Sequence, residues 1–232
     1  MFFLDPMYFV LIMPAIILSI WAQAKVNAAF SRYSRIPSSL SGADVARALL
    51  DAEGLNNVPV ETSSGMLSDH YDPRKRVLRL SPNVYRGYSL AALGVAAHEV
   101  GHAVQHKNGY FPLKLRSGLV PVAMFGANFG PMLIFLGIIF WAWAGSTFGS
   151  FLVKLGILAF SAAVIFQVIT LPVEINASRR ALSLLQRMGF ASPSQQKAFK
   201  DVLTAAALTY LAATLAAILQ LIYFLTLSSR RD

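Results

Sequence analysis

The sequence predicts a mainly α-helical membrane protein: four transmembrane helices, with a small α+β region between the first and second. Three observations carry this. Of the 232 residues, 56% are hydrophobic and only 13% charged, where soluble domains carry about a quarter charged residues. Four apolar stretches each reach the roughly 17–25 residues needed to cross a bilayer. Residues 25–118, between the first two, are too polar for lipid and mix strand-like and helix-like patterns. Residues 1–232 are read as a single integral-membrane domain.

The spans are expected at about 7–24, 119–144, 151–173 and 205–227. The first is read as an uncleaved span rather than a signal peptide, because no basic segment precedes it, whereas Lys25, Arg32 and Arg35 follow it. Loop 25–118 carries twelve Lys/Arg and segment 174–204 five, against Lys154, Arg230 and Arg231 on the opposite side. That bias puts the large loop in the cytoplasm of a bacterial-type cell membrane. The formal charge of +9 is read as topology and attraction to anionic lipid. Nucleic acid is not expected as a partner, since no RNA-recognition signature or Gly-rich phosphate loop is present. There is no cysteine, so any metal must be held by His, Asp or Glu.

Within the loop, Ser41 and Asp44 resemble a capping box, Val45, Leu49 and Ala52 share a helical face, and Gly54 is a stop. VPVE (58–61), MLSDHY (66–71) and RVLRLS (76–81) read as strands, with Asp72-Pro73 as the turn between the last two. From Ser89 the pattern is helical, SLAALGVAAHEVGHAVQHK, ending at Asn108-Gly109. Further on, MGFASPSQQK (188–197) is a polar connector, with Ser192 as N-cap and Pro193 as the first residue of the last helix.

The chemistry is concentrated in HEVGH, residues 98–102. On a helix, His98 and His102 project from one face and can meet one ion. Glu99 lies about 100° around the axis. It is poorly placed as a ligand but well placed to take a proton from a metal-bound water. Gly101 costs helix stability and would let another chain segment come close. His106, one turn beyond His102, is assigned a supporting or surface role, because a catalytic ion needs an open position. A haem is excluded, because two residues on one helix face cannot ligate opposite faces of it.

A third ligand is needed. After His106 the acidic residues before the tail are Glu174 and Asp201. Two crossings separate His102 from Glu174, which returns it to the side of the histidines. A carboxylate at a membrane boundary is costly and often functional, and Pro172 can kink the chain and aim the next turn inward. Glu174 is therefore the expected third ligand and Asp201 the reserve. The competing reading pairs Glu174 with Arg179 or Arg180.

AAHEVGHAVQH, preceded by LSDHYDP and LRLSPNVY and followed by LPVEINASRRAL and AAALTYLAA, resembles the YugP-type membrane zinc metallopeptidases over nearly the whole chain. The resemblance implies one Zn2+ on His98, His102 and Glu174, with Glu99 as general base, and a zincin-like, gluzincin-type catalytic region. More distantly, the plan is similar to the HtpX-like membrane peptidases, in which an Asp commonly follows the third ligand by four residues. Here that position is Ser178, with Asn176 nearby, so the partners supporting the ligands are not transferable from that group.

The expected activity is zinc-dependent hydrolysis of peptides or membrane proteins at the cytoplasmic face. Candidate oxyanion donors are His70, Tyr71, Tyr85 and Arg179, with Asn176 and Ser178 as supports, and strands 66–81 could offer an edge to an extended peptide. The alternative is a non-catalytic membrane partner in which a structural zinc staples helix 89–107 to Glu174. A protein partner or regulator is compatible with either.

Overall fold

The computed structural model describes residues 5–65, 68–144 and 147–229. The described elements run α1 (Pro6–Ser34), α2 (Gly42–Ala52), β1 (Val60–Thr62), β2 (His70–Asp72), β3 (Val77–Leu80), α3 (Pro82–Tyr85), α4 (Leu90–Lys107), α5 (Phe111–Ala144), α6 (Thr147–Arg187) and α7 (Pro193–Ser229). Among the described residues the chain is mainly helical, with one small sheet. Four helices, α1, α5, α6 and α7, are long and apolar enough to cross a membrane.

Each of these helices outruns its apolar stretch. An apolar run marks only what lipid can cover, whereas a helix continues for as long as its residues favour it and its face stays packed. The difference matters most in α6. The expected third span stops at Val173, but the helix runs through Pro172 without interruption to Arg187. Glu174 is therefore a mid-helix residue, and no break in the helix is needed to aim it.

Contacts divide the chain into two compact units. One holds α1 up to Ile20, α5 from Lys114, α6 up to Leu171 and α7 from Tyr210. Here α5 and α6 approach through small residues: a Cβ on Gly126 would stand 2.0 Å from the Ala159 carbonyl, and one on Gly137 would stand 2.7 Å from the Gly149 carbonyl. Such close backbone approach is how apolar helices pack where lipid is as apolar as the side chains. Polar groups among them find partners, as Tyr223 donates to Asp5 Oδ2 (3.2 Å) and Tyr8 to Gln220 Oε1 (3.2 Å).

The other unit holds α1 from Trp21, everything from α2 to Leu113, α6 from Pro172 and α7 up to Thr209. Helix α2 starts with the expected capping box: Ser41 Oγ accepts from the Asp44 N–H, and Asp44 accepts from the Ser41 N–H. Gly54, just past its end, has φ +68°, where a side chain would be strained. The sheet has the order β1-β3-β2, with β1 parallel and β2 antiparallel to β3.

The strands are shorter and later than the hydrophobic pattern suggested. The first starts at Val60 rather than Val58. Met66 and Leu67, expected to open the second, lie outside the described residues, and that strand is His70–Asp72. Asp69 is occupied elsewhere, its carboxylate accepting from the N–H and hydroxyl of Ser81. Asp72 closes the turn as expected, with Oδ1 accepting from the Arg74 and Lys75 N–H groups. Helix α3, a single turn that the sequence reading did not pick out, follows directly. Arg230 and Arg231, two of the charges in the orientation argument, also lie outside the described residues.

Candidate metal centre

Helix α4 presents the HEVGH residues from a nearly wholly buried cylinder. Ser89 caps its N-terminus by accepting from the Ala92 N–H, and Gly109, with φ +63°, follows its end. Against it lies the face of α6 made by Val173, Glu174, Ala177, Ser178 and Ala181, all buried. Their spacing of three and four residues puts them on one stripe. The close approach expected at Gly101 is present: a Cβ there would stand 2.4 Å from the Ala177 carbonyl oxygen. Gly101 is what lets the α6 backbone come down between His98 and His102.

That approach brings Glu174 to the two histidines. Glu174 Oε2 lies 3.1 Å from His98 Nε2 and 3.5 Å from His102 Nε2. One donor atom from each of the three residues lies within 4.8 Å of the others. Two donors at 2.0–2.1 Å from one tetrahedral ion stand about 3.3–3.4 Å apart, so both distances suit a single zinc. Glu174 is 1% exposed, and a buried carboxylate requires a charged or hydrogen-bonding partner.

The outer ring nitrogens fix the fit further. Gln105 Oε1 lies 3.0 Å from His102 Nδ1. Gln105 Nε2 donates to the Val173 carbonyl (2.8 Å) and to Asn176 Oδ1 (3.0 Å). The Val173 carbonyl can only accept, so the amide nitrogen must face it and the amide oxygen must face His102. His102 Nδ1 then carries the proton, and Nε2 keeps its lone pair for a metal. On the other ring, Ser178 Oγ lies 3.2 Å from His98 Nδ1. The donor set and its supports fit zinc.

Glu99 is 8% exposed and is held by a strand rather than a helix: the Tyr71 N–H, on β2, donates to its Oε2 at 3.0 Å. Its carboxyl is pushed up to about 7, above all by burial, with neighbouring His98 opposing the rise and Glu174 adding to it. A dication on the three donors would oppose that rise.

The other sequence candidates are placed as follows. The Tyr71 hydroxyl is 2.9 Å from His106 Nδ1, so His106 clamps β2 to α4 and does not join the three donors. Asn176 accepts from Arg180 Nε (2.8 Å) as well as from Gln105, which takes Arg180 away from Glu174. His70 is exposed, its Nδ1 2.8 Å from the Ser68 carbonyl. Tyr85 packs against the core of this unit, and Arg179 is exposed on α6. Asp201, the reserve ligand, instead accepts from the Tyr33 hydroxyl at 2.6 Å. Sequence reasoning passed over Gln105, which is 0% exposed. The available signal was a polar residue three positions after His102 on an apolar helix face.

The fold and this donor set together define a class: a chain with apolar helices long enough to cross a membrane and a His-His-Glu group that could hold a metal ion. The family model described as "Putative neutral zinc metallopeptidase" matches residues 8–229, and the chain belongs to that family. It is 46% identical over 220 residues to the "Putative membrane protease YugP" of Bacillus subtilis (strain 168), covering 94% of this chain and 95% of that relative. No solved structure matches it.

Proposed function

We propose that the chain is a membrane-embedded endopeptidase that holds one zinc ion on His98, His102 and Glu174 and uses Glu99 as general base. The observation that carries this reading is the convergence of three donor atoms while the outer ring nitrogen of each histidine has its own partner. When bound, the ion supplies Lewis acidity, polarising a carbonyl and bringing the pKa of a water toward about 7.

The residues of the chain do the rest. The Tyr71 N–H holds the Glu99 carboxylate beside the donor set. Glu99 takes a proton from the water attacking the peptide carbonyl and passes it to the leaving amine, so that water is split across the C–N bond to give a carboxylate and an amine. Because the Tyr71 N–H serves Glu99, it points away from β3, toward the outer edge of the sheet. An extended substrate laid along that edge would reach Glu99, and backbone pairing would accept many sequences. Peptides and membrane proteins at the cytoplasmic face are the proposed substrates; the Lys/Arg bias of loop 25–118 supports that side.

The test is to compare wild type with Glu99→Gln for zinc content and for cleavage of peptides and co-reconstituted membrane proteins. Loss of cleavage with zinc retained is expected. A wild type as inert as the variant on every substrate would favour a structural zinc that staples α4 to α6.

A further inference from the structure

A polar cavity, of about 280 Å3, opens between α1 and α7, and its lining includes Lys25, Arg32, Tyr33, Asp201, Thr204 and Ala205. We propose that it binds the phosphate of an anionic phospholipid headgroup. The proposal does not depend on the metal centre.

Lys25 and Arg32 are seven residues apart, two turns along α1, and so share one face. Neither forms an ion pair among the described residues. The Lys25 ammonium lies 5.3 Å from the centroid of the Trp21 ring, and the Arg32 guanidinium 5.6 Å from that of Tyr33. The carboxylate in the pocket, Asp201, is already engaged, accepting the Tyr33 hydroxyl at 2.6 Å. Tyr33 is 6% exposed, which anchors that pair to the wall. Two cations and the Thr204 hydroxyl are left facing the cavity, a donor set suited to phosphate oxygens.

The level of the pocket selects the source of the phosphate. On α1, Lys25 directly follows the apolar stretch 7–24. On α7, Asp201 and Thr204 directly precede the apolar stretch 205–227. Both walls therefore change from polar to apolar at the cavity, as they would at headgroup depth. The exposed Trp21 sits one turn toward the apolar side of Lys25, as interfacial tryptophans do. Basic pockets between spanning helices suit anionic headgroups, and the apolar wall gives the acyl chains a path that free phosphate does not need.

The experiment titrates the purified full-length chain, in a nonionic detergent, with short-chain phosphatidylglycerol, short-chain phosphatidylcholine or inorganic phosphate. Binding is read by native mass spectrometry and by the shift in Tm. Phosphatidylglycerol should bind and raise Tm, and phosphatidylcholine should do neither. Lys25→Gln/Arg32→Gln should bind phosphatidylglycerol roughly 30-fold more weakly, as expected for two surface cations, while Lys25→Arg/Arg32→Lys keeps binding and Lys75→Gln changes nothing. Lys25→Gln alone, which removes no hydrogen bond, should shift binding in the same direction even if the double variant folds poorly. Equal binding of the two lipids, or unchanged binding by the Gln variants, overturns the proposal. Displacement of phosphatidylglycerol by an equal concentration of inorganic phosphate overturns the lipid assignment.

Discussion

Gln105 and His102, three residues apart on α4, are joined by a 3.0 Å contact between Gln105 Oε1 and His102 Nδ1. Through its amide nitrogen the same side chain holds the Val173 carbonyl and Asn176 of α6. One buried amide thus fixes a histidine tautomer and ties together the two helices that carry the three donors.

Replacing Gln105 with Leu keeps much of the volume but removes both roles. Partners of this kind typically change metal affinity by roughly 10–100-fold. Chelator competition on the purified Gln105→Leu chain should show zinc held more weakly by that order. Unchanged affinity would mean the His102 ring is oriented by something else.

Glu99→Gln should retain zinc, because the amide oxygen can still accept from the Tyr71 N–H and no donor of the set is lost. Peptide cleavage should fall by about 10²–10⁴-fold, the usual contribution of a general base. Metal analysis beside a cleavage assay reads both, and zinc lost together with activity would instead make Glu99 a ligand.

Gly101→Ala places a methyl group 2.4 Å from the Ala177 carbonyl oxygen, a backbone atom within a helix. Overpacking of this kind costs about 1–3 kcal/mol. It should also push α6 away from α4, lowering zinc affinity together with Tm in detergent. A variant with wild-type Tm and zinc affinity would show that α6 yields freely at this point.

The α2 cap predicts a pH effect away from the metal. The Ser41 hydroxyl and N–H hold the Asp44 carboxyl below its usual value. Folding therefore favours the ionised form. The resulting stabilisation is complete above the ordinary carboxylate pKa of about 3.9 and is lost as pH falls through the lower folded value. Asp44→Asn should cost stability at pH 7, and the cost should shrink as pH falls through the lower folded value, so thermal melts of the two chains should converge toward acid. A constant gap would count against the capping box as its source.

Much of the fold was legible because its signals are local. Apolar length marks the four long helices, and the i, i+4 spacing of His98 and His102 puts both on one face whatever surrounds them. Ser41 with Asp44, and the glycines at 54 and 109, mark helix ends through the backbone geometry they favour. Element ends were less legible: the strands came out shorter than their hydrophobic runs, because pairing with β3 decides their length. Helix α6 ran past its apolar stretch because its next turns pack against α4.

By itself the sequence determined the apolar helices, the HEVGH face and a short list of acidic residues, since these follow from composition and from the period of one helix. Only the tertiary structure decided that Glu174 rather than Asp201 stands beside the histidines, and that Gln105 and Ser178 contact their outer nitrogens. It also decided that a backbone N–H from β2 serves Glu99. Apart from the one between Gln105 and His102, which lie a single helical turn apart, these contacts join residues dozens of positions apart, and no local period encodes them. Those between α4 and α6 exist because Gly101 has no side chain at the point where the two helices meet.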